Sequence, residues 1–246
     1  MARVWCNALG GERGAGAGLV RAIVAAALLA GCASPVPRLA DVAGEQPAAF
    51  PDAYYRQAAA RGQPVYEVDP ASSLVVIEVR RGGTLAHLGH DHVVASHDVR
   101  GYLAPAAGRA DLYLRLDRLV VDERDLRAEA QFDTQPSAEA IAGTRANMLD
   151  KLGAGAHPWA LVAVRDVAID ASGFRMNATL TLNGSTRAMH LSPQIVLSAG
   201  EVGVDGRVAL DQTSFGITPF SILGGALQVQ DRVAVRFRIR ARQMPP

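Results

Sequence analysis

The chain has 246 residues, 49% of them hydrophobic, and its 25 basic residues nearly balance 24 acidic ones, so the formal net charge is +1. Apart from one arginine-bearing segment near the C-terminus, no basic tract stands out that would neutralise phosphates. We therefore exclude nucleic acid as a partner. The length and apolar content suit a globular domain with a substantial core or cavity.

The first 32 residues have the features of an export signal. Arg13 and Arg21 precede the apolar run AIVAAALLAG, which ends at LAGC with Cys32. The run is shorter than the roughly 20 residues needed to span a bilayer. Small residues precede the expected signal-peptidase cleavage site before Cys32. The ending resembles the bacterial lipobox, in which the cysteine becomes the lipid-modified first residue. We expect residues 1–31 to be a lipoprotein signal peptide and Cys32 to be lipidated.

Processing at this site has consequences for the mature chain. It removes Cys6, which leaves Cys32 alone and allows no disulfide within the domain. It also lowers the net charge to about −1. Ala33 follows the cysteine, where an aspartate is the usual inner-membrane retention signal of such lipoproteins. The resemblance therefore implies a lipid-anchored protein of the bacterial cell envelope, at the outer membrane and facing the periplasm.

Residues 32–63 are predicted to be the lipidated cysteine and a flexible tether. The segment is rich in alanine, proline and glycine and shows no sustained period. Within it, PDAYYRQAAARG predicts one short helix, with Pro51 in its first turn and Gly62 at its end.

From residue 64 the hydrophobic pattern alternates with a period of two. In ADLYLRLD, leucines occupy every second position, and in RVAVRFRIRAR apolar residues alternate with arginines. Such alternation is typical of half-buried antiparallel strands. The arginine row is expected to be the solvated outer face of a strand; its members are Arg232, Arg236, Arg238, Arg240 and Arg242.

Turn and helix signals complete the predicted domain, residues 64–243. VYEVDPASSLVVIEVRR indicates two strands around an Asp-Pro turn, and Asn183-Gly184 indicates a hairpin. Further strands are expected at 161–169, 192–198 and 206–213. SAEAIAGTRANMLDKL predicts one helical insertion capped by Ser137. We predict an all-β fold in which eight antiparallel strands close into a barrel, which either fills with side chains or holds one small, lipophilic ligand.

Three stretches between residues 65 and 242 together resemble the YceI-like family. They are YEVDPASSLVVIEVRR with HLGHDHVVASHDVRGYL, then RANMLDKLGAGAHPWALVAVRDVAI running into ATLTLNGSTRAMHL, and finally DQTSFGITPFSILGGALQVQDRVAVRFRIRA. The resemblance implies a lipocalin-like barrel with a helix, and secretion or a periplasmic location. It also implies that the barrel interior binds a polyisoprenoid chain such as an isoprenoid quinone; no other cofactor is predicted.

The apolar faces supply the candidate residues for contact with such a ligand, and FGITPFSIL is expected to line or close one end. The candidates are Leu112, Leu114, Leu116, Leu180, Leu182, Phe215, Ile217, Phe220, Val233, Val235, Phe237 and Ile239. The expected partners are a hydrophobic small molecule and, through the anchor, the membrane.

The segment HLGHDHVVASH holds four of the six histidines, more than is typical of the family. In a continuous strand His90 and His92 share one face, whereas His87 has the opposite parity. One hypothesis is a metal- or haem-associated protein that uses His87, His90 and His92, although a site needs further ligands. The alternatives are polar residues near the barrel mouth, some paired with Asp91 or Asp98, or a histidine that contacts a ligand headgroup.

No catalytic pattern emerges from the chain. The serines lack a nucleophile-elbow context, no free thiol remains after processing, and no glycine-rich phosphate loop is present. Asp122, Glu123 and Asp125 are expected to be solvated residues of a polar turn. We predict a non-enzymatic lipid-binding lipoprotein, for carriage or sequestration; the alternatives are the metal- or haem-associated protein and a packed envelope scaffold without ligand.

Overall fold

The computed structural model describes residues 45–170 and 173–246, which form one compact unit from Glu45 onward. The predicted signal and lipidated Cys32 lie outside the described residues. The helices are α1 (Asp52–Ala60), α2 (Arg124–Glu129) and α3 (Ala138–Lys151). The strands are β1 (Tyr66–Val68), β2 (Leu74–Val79), β3 (Arg81–Gly82), β4 (His92–Ser96), β5 (Arg100–Ala104), β6 (Arg109–Arg115), β7 (Val120–Val121), β8 (Trp159–Asp170), β9 (Gly173–Leu182), β10 (Ser185–Leu191), β11 (Gln194–Ser198), β12 (Glu201–Asp211), β13 (Ser221–Ile222), β14 (Leu227–Val229) and β15 (Arg232–Gln243).

These segments combine into eight long antiparallel strands, because β1 with β2, β4 with β5, and β10 with β11 each continue one another along the chain. Each long strand pairs with its neighbours in sequence, and β15 pairs with β12 on one side and with β1 and β2 on the other. The bend at Ser192-Pro193 lets β10 pair with β9 while β11 pairs with β12. The sheet thus closes on itself, which confirms the predicted antiparallel barrel; the predicted helical insertion is α3, which follows α2 between β7 and β8.

The β9–β10 hairpin shows how local sequence sets the register. Asn183 and Gly184 both have positive φ, 49° and 68°, and Leu182 pairs directly with Ser185. A two-residue turn with this backbone matches the twist of the flanking strands, and Asn-Gly tolerates it best. The predicted hairpin is confirmed.

The alternation along β15 has the expected orientation. Val233, Ile239 and Ala241 are buried inside the barrel. The arginines between them lie outside, where Arg236 pairs with Glu129 and Arg240 with Asp205. The arginine row is therefore an outer face with ion pairs, as predicted.

Helix α1 packs on the outside of β5 and β6. Tyr55 is fully buried, its hydroxyl donates to Asp111 Oδ2 at 2.6 Å, and its ring stacks on Tyr102 at 5.1 Å. The predicted short helix is confirmed. The folded unit, however, begins by Glu45 rather than at 64, because this helix buries apolar side chains against the barrel instead of belonging to a free tether.

Helix α3 covers one end of the barrel. Its N-cap Ser137 accepts a hydrogen bond from the Ala140 N–H at 3.2 Å, and Met148 and Leu152 pack on the cluster that contains Leu116. We call this end, where β6 and β12 finish and β15 starts, the α3 end. In the described ranges no helix is long and apolar enough to cross a membrane.

Candidate ligand-binding cavity

The inward-facing side chains enclose a cavity of about 500 Å³. Small-molecule sites commonly span about 300–1,000 Å³. Its wall is almost wholly aliphatic and aromatic and, in the part of the chain that the structure describes, includes no aspartate, glutamate or lysine. Arg109 borders the cavity, but its guanidinium points outward, donates to Asp111 at 2.8 Å and lies over the Tyr54 ring at 4.3 Å. A ligand inside therefore meets mostly hydrocarbon, and Gln212, directly after β12, adds a polar amide to the wall.

The structure brings together all of the candidate residues except one. Those in the wall are Leu112, Leu114, Leu116, Leu180, Leu182, Phe215, Ile217, Val233, Val235, Phe237 and Ile239. Phe220 is not in the wall, so its assignment is corrected. Beyond Ile217 the chain turns into the small sheet formed by β3, β14 and β13, and the Phe220 carbonyl accepts from Val229 N–H at 2.9 Å.

One wall position depends on a glycine. Gly206 lies opposite Phe237 in the β12–β15 ladder, and a Cβ added there would come within 2.4 Å of the Phe237 ring. The tip of the Phe237 ring therefore occupies the space that a side chain at position 206 would fill. The alternating pattern did not identify Gly206 as a wall residue. The signal that could have identified it is its position on the apolar face of β12.

The two ends of the cavity differ. At the α3 end, Phe215, Ile217 and Leu116 are almost completely buried and close it. At the opposite end Leu197 belongs to the wall although its exposed fraction is 59%. A wall residue that solvent reaches to this extent marks an opening, so the cavity opens at the end away from α3.

None of the clustered histidines belongs to the wall. His87 is exposed in a short 3₁₀ turn, and His90 precedes β4, which starts only at His92. The rings of His90 and His92 are 6.3 Å apart and edge-on. Across residues 45–170 and 173–246 no three His, Cys, Asp or Glu side chains are grouped to hold a metal ion.

The partners of these residues differ from those expected. His92 Nδ1 lies 2.6 Å from Asp122 Oδ2, and His97 Nε2 lies 2.8 Å from Glu123 Oε2. Asp91, for its part, accepts from the Arg81 backbone N–H at 2.8 Å. The parity argument fails for His90 because that residue lies outside the strand.

Asp122 is a buried residue and not a solvated one, which corrects the predicted polar turn. Its side chain has no exposed surface and accepts from Arg127 Nη1 at 2.5 Å and from Val93 N–H at 3.0 Å. Burial raises the pKa of this carboxyl, but the hydrogen bonds from His92, Val93 and Arg127 outweigh burial and hold the pKa below its usual value. Arg127 lies on α2, a helix that the sequence patterns did not predict.

Arg127 ties three segments together. Besides Asp122, its guanidinium donates to the Asp91 carbonyl at 2.6 Å and to Thr134. The guanidinium and carboxylate thus fasten α2 over the outer face of β4. Asp91 lies 36 residues from Arg127 in sequence, and α2 itself was not predicted, so local patterns could not reveal this cluster.

The comparisons with known proteins agree with this architecture. A polyisoprenoid binding domain from Saccharophagus degradans implicated in plant cell wall breakdown is 16% identical, over 73% of this chain and 98% of that one, with a TM-score of 0.50. Burkholderia cenocepacia BcnA is 14% identical over 70% of this chain and 98% of its own, with a TM-score of 0.49. A mutant Campylobacter jejuni YceI protein is 17% identical over 60% of this chain and 82% of its own, with a TM-score of 0.41. No curated protein gives a significant match. The model of the YceI-like domain matches residues 66–241, and the chain therefore belongs to the YceI-like family.

Proposed function

We propose that this protein binds an isoprenoid or similar amphiphilic lipid inside the barrel, for carriage or sequestration. The observation that carries the proposal is the hydrocarbon-lined cavity of about 500 Å³. The polyisoprenoid binding named for the Saccharophagus degradans domain, which shares the fold, supports a long apolar chain as the ligand class. The protein acts as a binder and not as an enzyme.

The wall chemistry indicates how such a ligand is held. Each methylene transferred from water into the cavity contributes about 0.8 kcal/mol, so affinity grows with chain length. Among the described residues the wall includes no acidic side chain or lysine, and the Arg109 guanidinium points outward, so no charged group is available there to pair with a polar headgroup. Burying an unpaired polar group is costly. The apolar chain therefore lies inside, and the headgroup stays at the open end near Leu197.

We also propose that the protein is a lipoprotein anchored through Cys32 at the outer membrane and facing the periplasm. The LAGC ending and Ala33 support this location. An envelope location would place the protein in a compartment bounded by membranes that contain such lipids.

The test is native mass spectrometry of the chain processed in bacteria, compared with its denatured mass. A bound mass that partitions into organic solvent is expected, and fragmentation would identify it. Leu114→Asp, which places a charge in the wall, should lose this mass, whereas Val196→Asp on the exposed outer surface should keep it. A bound mass removed by a chelator would favour the metal-associated alternative, and no bound mass would contradict the proposed lipid binding and favour an envelope scaffold without ligand.

The anchor is tested separately. Acylation of Cys32 should add the mass of its acyl chains and hold the protein in the membrane fraction. Cys32→Ser should abolish both properties. A wild-type chain that is exported without acylation would contradict the proposed location but not the lipid-binding role.

A further inference from the structure

A small sheet projects from the barrel at the α3 end. It is formed by β3, which lies in the connection between β2 and β4, and by β13 and β14, which lie in the connection between β12 and β15. The ladder between β3 and β14 continues the ladder between β2 and β15, because the Gln230 N–H donates to the Arg80 carbonyl at 2.7 Å where the two ladders meet. The β13–β14 hairpin therefore extends past the rim, in the direction away from the cavity opening.

Three large apolar side chains are exposed on this projection. The exposed fractions are 63% for Leu88, 43% for Ile222 and 69% for Leu223. Ile222 and Leu223 are consecutive, and Leu88 precedes Gly89, against which Leu227, the pairing partner of Ile222, packs its side chain. We call Leu88, Ile222 and Leu223 the apolar tip. Single exposed leucines are ordinary, but an adjacent group marks an interaction surface.

The β13–β14 part of the projection also lacks charge, and the Arg81 guanidinium of β3 pairs with Asp133. Residues 212–230, between Asp211 and Asp231, contain no Asp, Glu, Lys or Arg, and this is the longest such run in the parts of the chain that the structure describes. Leu223 in addition has a positive φ of 51°, an unfavourable backbone for leucine, at a position where its side chain packs little. An uncharged surface enters a lipid interface without the desolvation of an ionic group.

The position of the N-terminal segment identifies the occupant of this surface. Glu45 forms an ion pair with Arg115, the last residue of β6, and so the described chain begins at the α3 end. Cys32 lies about 13 residues earlier, a span of at most about 45 Å when fully extended. The described chain therefore begins at the same end as the apolar tip, and the proposed anchor lies within that span of it.

We propose that the apolar tip is a second contact with the membrane that carries the anchor, inserted at the level of the lipid headgroups. The inference rests on the proposed anchor for the identity of that membrane. Two contacts at the α3 end hold the barrel upright, with its opening near Leu197 directed away from the anchoring membrane. The lipid surface is preferred over a protein partner because the tip is uncharged and lies at the end where the described chain begins, 13 residues after the proposed anchor.

The test measures how deeply two matched positions approach lipid. A form that begins at Ala33 contains the whole compact unit and no cysteine. An N-terminal hexahistidine tag holds it on phosphatidylethanolamine–phosphatidylglycerol vesicles through nickel-chelating lipids, whether or not natural acylation occurs. Ser221→Cys, beside the tip, and Ser198→Cys, an exposed position at the opposite end, carry the same environment-sensitive fluorophore.

The expected result is a blue-shifted emission at position 221 that brominated lipids quench, with neither effect at position 198. Both effects at 221 should be lost in a Leu88→Asp, Leu223→Asp background and kept in a Val120→Asp, Val196→Asp background, which changes exposed apolar residues elsewhere. Equal quenching at both positions, or none at 221, overturns the proposal. A blue shift without vesicles, accompanied by a dimer in sedimentation, also overturns it because the tip then joins two copies. Lipid content and acylation of Cys32, measured on the naturally processed chain, report separately on the proposed function.

Discussion

Replacing Arg127 by methionine tests whether the buried ion pair beneath α2 holds this part of the barrel together. Methionine keeps much of the apolar stem but removes the guanidinium that donates to Asp122, the Asp91 carbonyl and Thr134. The side-chain exposed fractions are 2% for Arg127 and 0% for Asp122, so the carboxylate cannot turn to water for compensation. It would retain hydrogen bonds from His92 and the Val93 N–H.

The free energy of unfolding should fall substantially. Removing one partner of a buried pair typically costs about 3–5 kcal/mol, and we expect about 3 kcal/mol because two hydrogen bonds to Asp122 remain. Arg236 pairs with Glu129 at the surface and provides the control. Exposed pairs contribute about 0–1 kcal/mol, so Arg236→Met should cost less than 1 kcal/mol.

Urea unfolding followed by the fluorescence of Trp159 measures both variants, because Trp5 lies in the predicted signal and leaves Trp159 as the sole reporter. Asp122→Asn combined with Arg127→Met should be more stable than Arg127→Met alone, since no buried charge then lacks its partner. Equal losses below 1 kcal/mol in Arg127→Met and Arg236→Met would refute the argument. A double variant that is no more stable than Arg127→Met would also refute the argument.

Three further predictions concern the cavity, acid stability and α3. Gly206→Val should push the Phe237 ring into the cavity and lower the amount of bound lipid measured by mass spectrometry. The control Gly203→Val, whose side chain meets only the flexible end of Arg240, should retain the lipid. Equal amounts of lipid in both variants would contradict the role of Gly206. Because folding lowers the pKa of Asp122, its contribution to stability is present above the unfolded pKa and is lost as the pH falls below about 4. Asp122→Asn should therefore flatten the loss of stability measured in urea at acid pH, and an unchanged slope would exclude this origin. Ser137→Ala should cost about 1 kcal/mol in the same assay through loss of the α3 cap, and an unchanged midpoint would show that the cap is dispensable.

The elements that local sequence predicts well are those whose stabilising contacts are local or periodic. The Asn183-Gly184 turn requires only its two residues, and the Ser137 cap requires only the next turn of helix. The wall leucines of β6 share one face because a strand alternates, so their inward direction follows from spacing alone. For these residues, sequence reasoning and structure agree.

The elements that sequence reasoning misplaced depend on contacts between distant segments. Asp122 belongs to a run of polar residues and is recognisable as buried only after α2 covers β4 and brings Arg127 to it. Phe220 continues an apolar run that is not a strand, since β12 ends at Asp211 and the chain passes through a short 3₁₀ helix before it enters the small sheet. Likewise, α1 is recognisable as part of the domain only through the Tyr55 contact with Asp111.

The pairing of the first strand with the last has a consequence for how the protein folds. Tyr66 lies opposite Gln243, so the ladder that closes the barrel joins residues near the two ends of the folded unit. Before β15 pairs with its neighbours, β2 and β12 have unpaired edges and the apolar interior is open to water. Closing so long a loop is entropically costly and slow, so the ligand chamber comes into existence only in the last step of folding. If the chain crosses a membrane before it folds, it must cross with no lipid inside and collect its ligand on the far side.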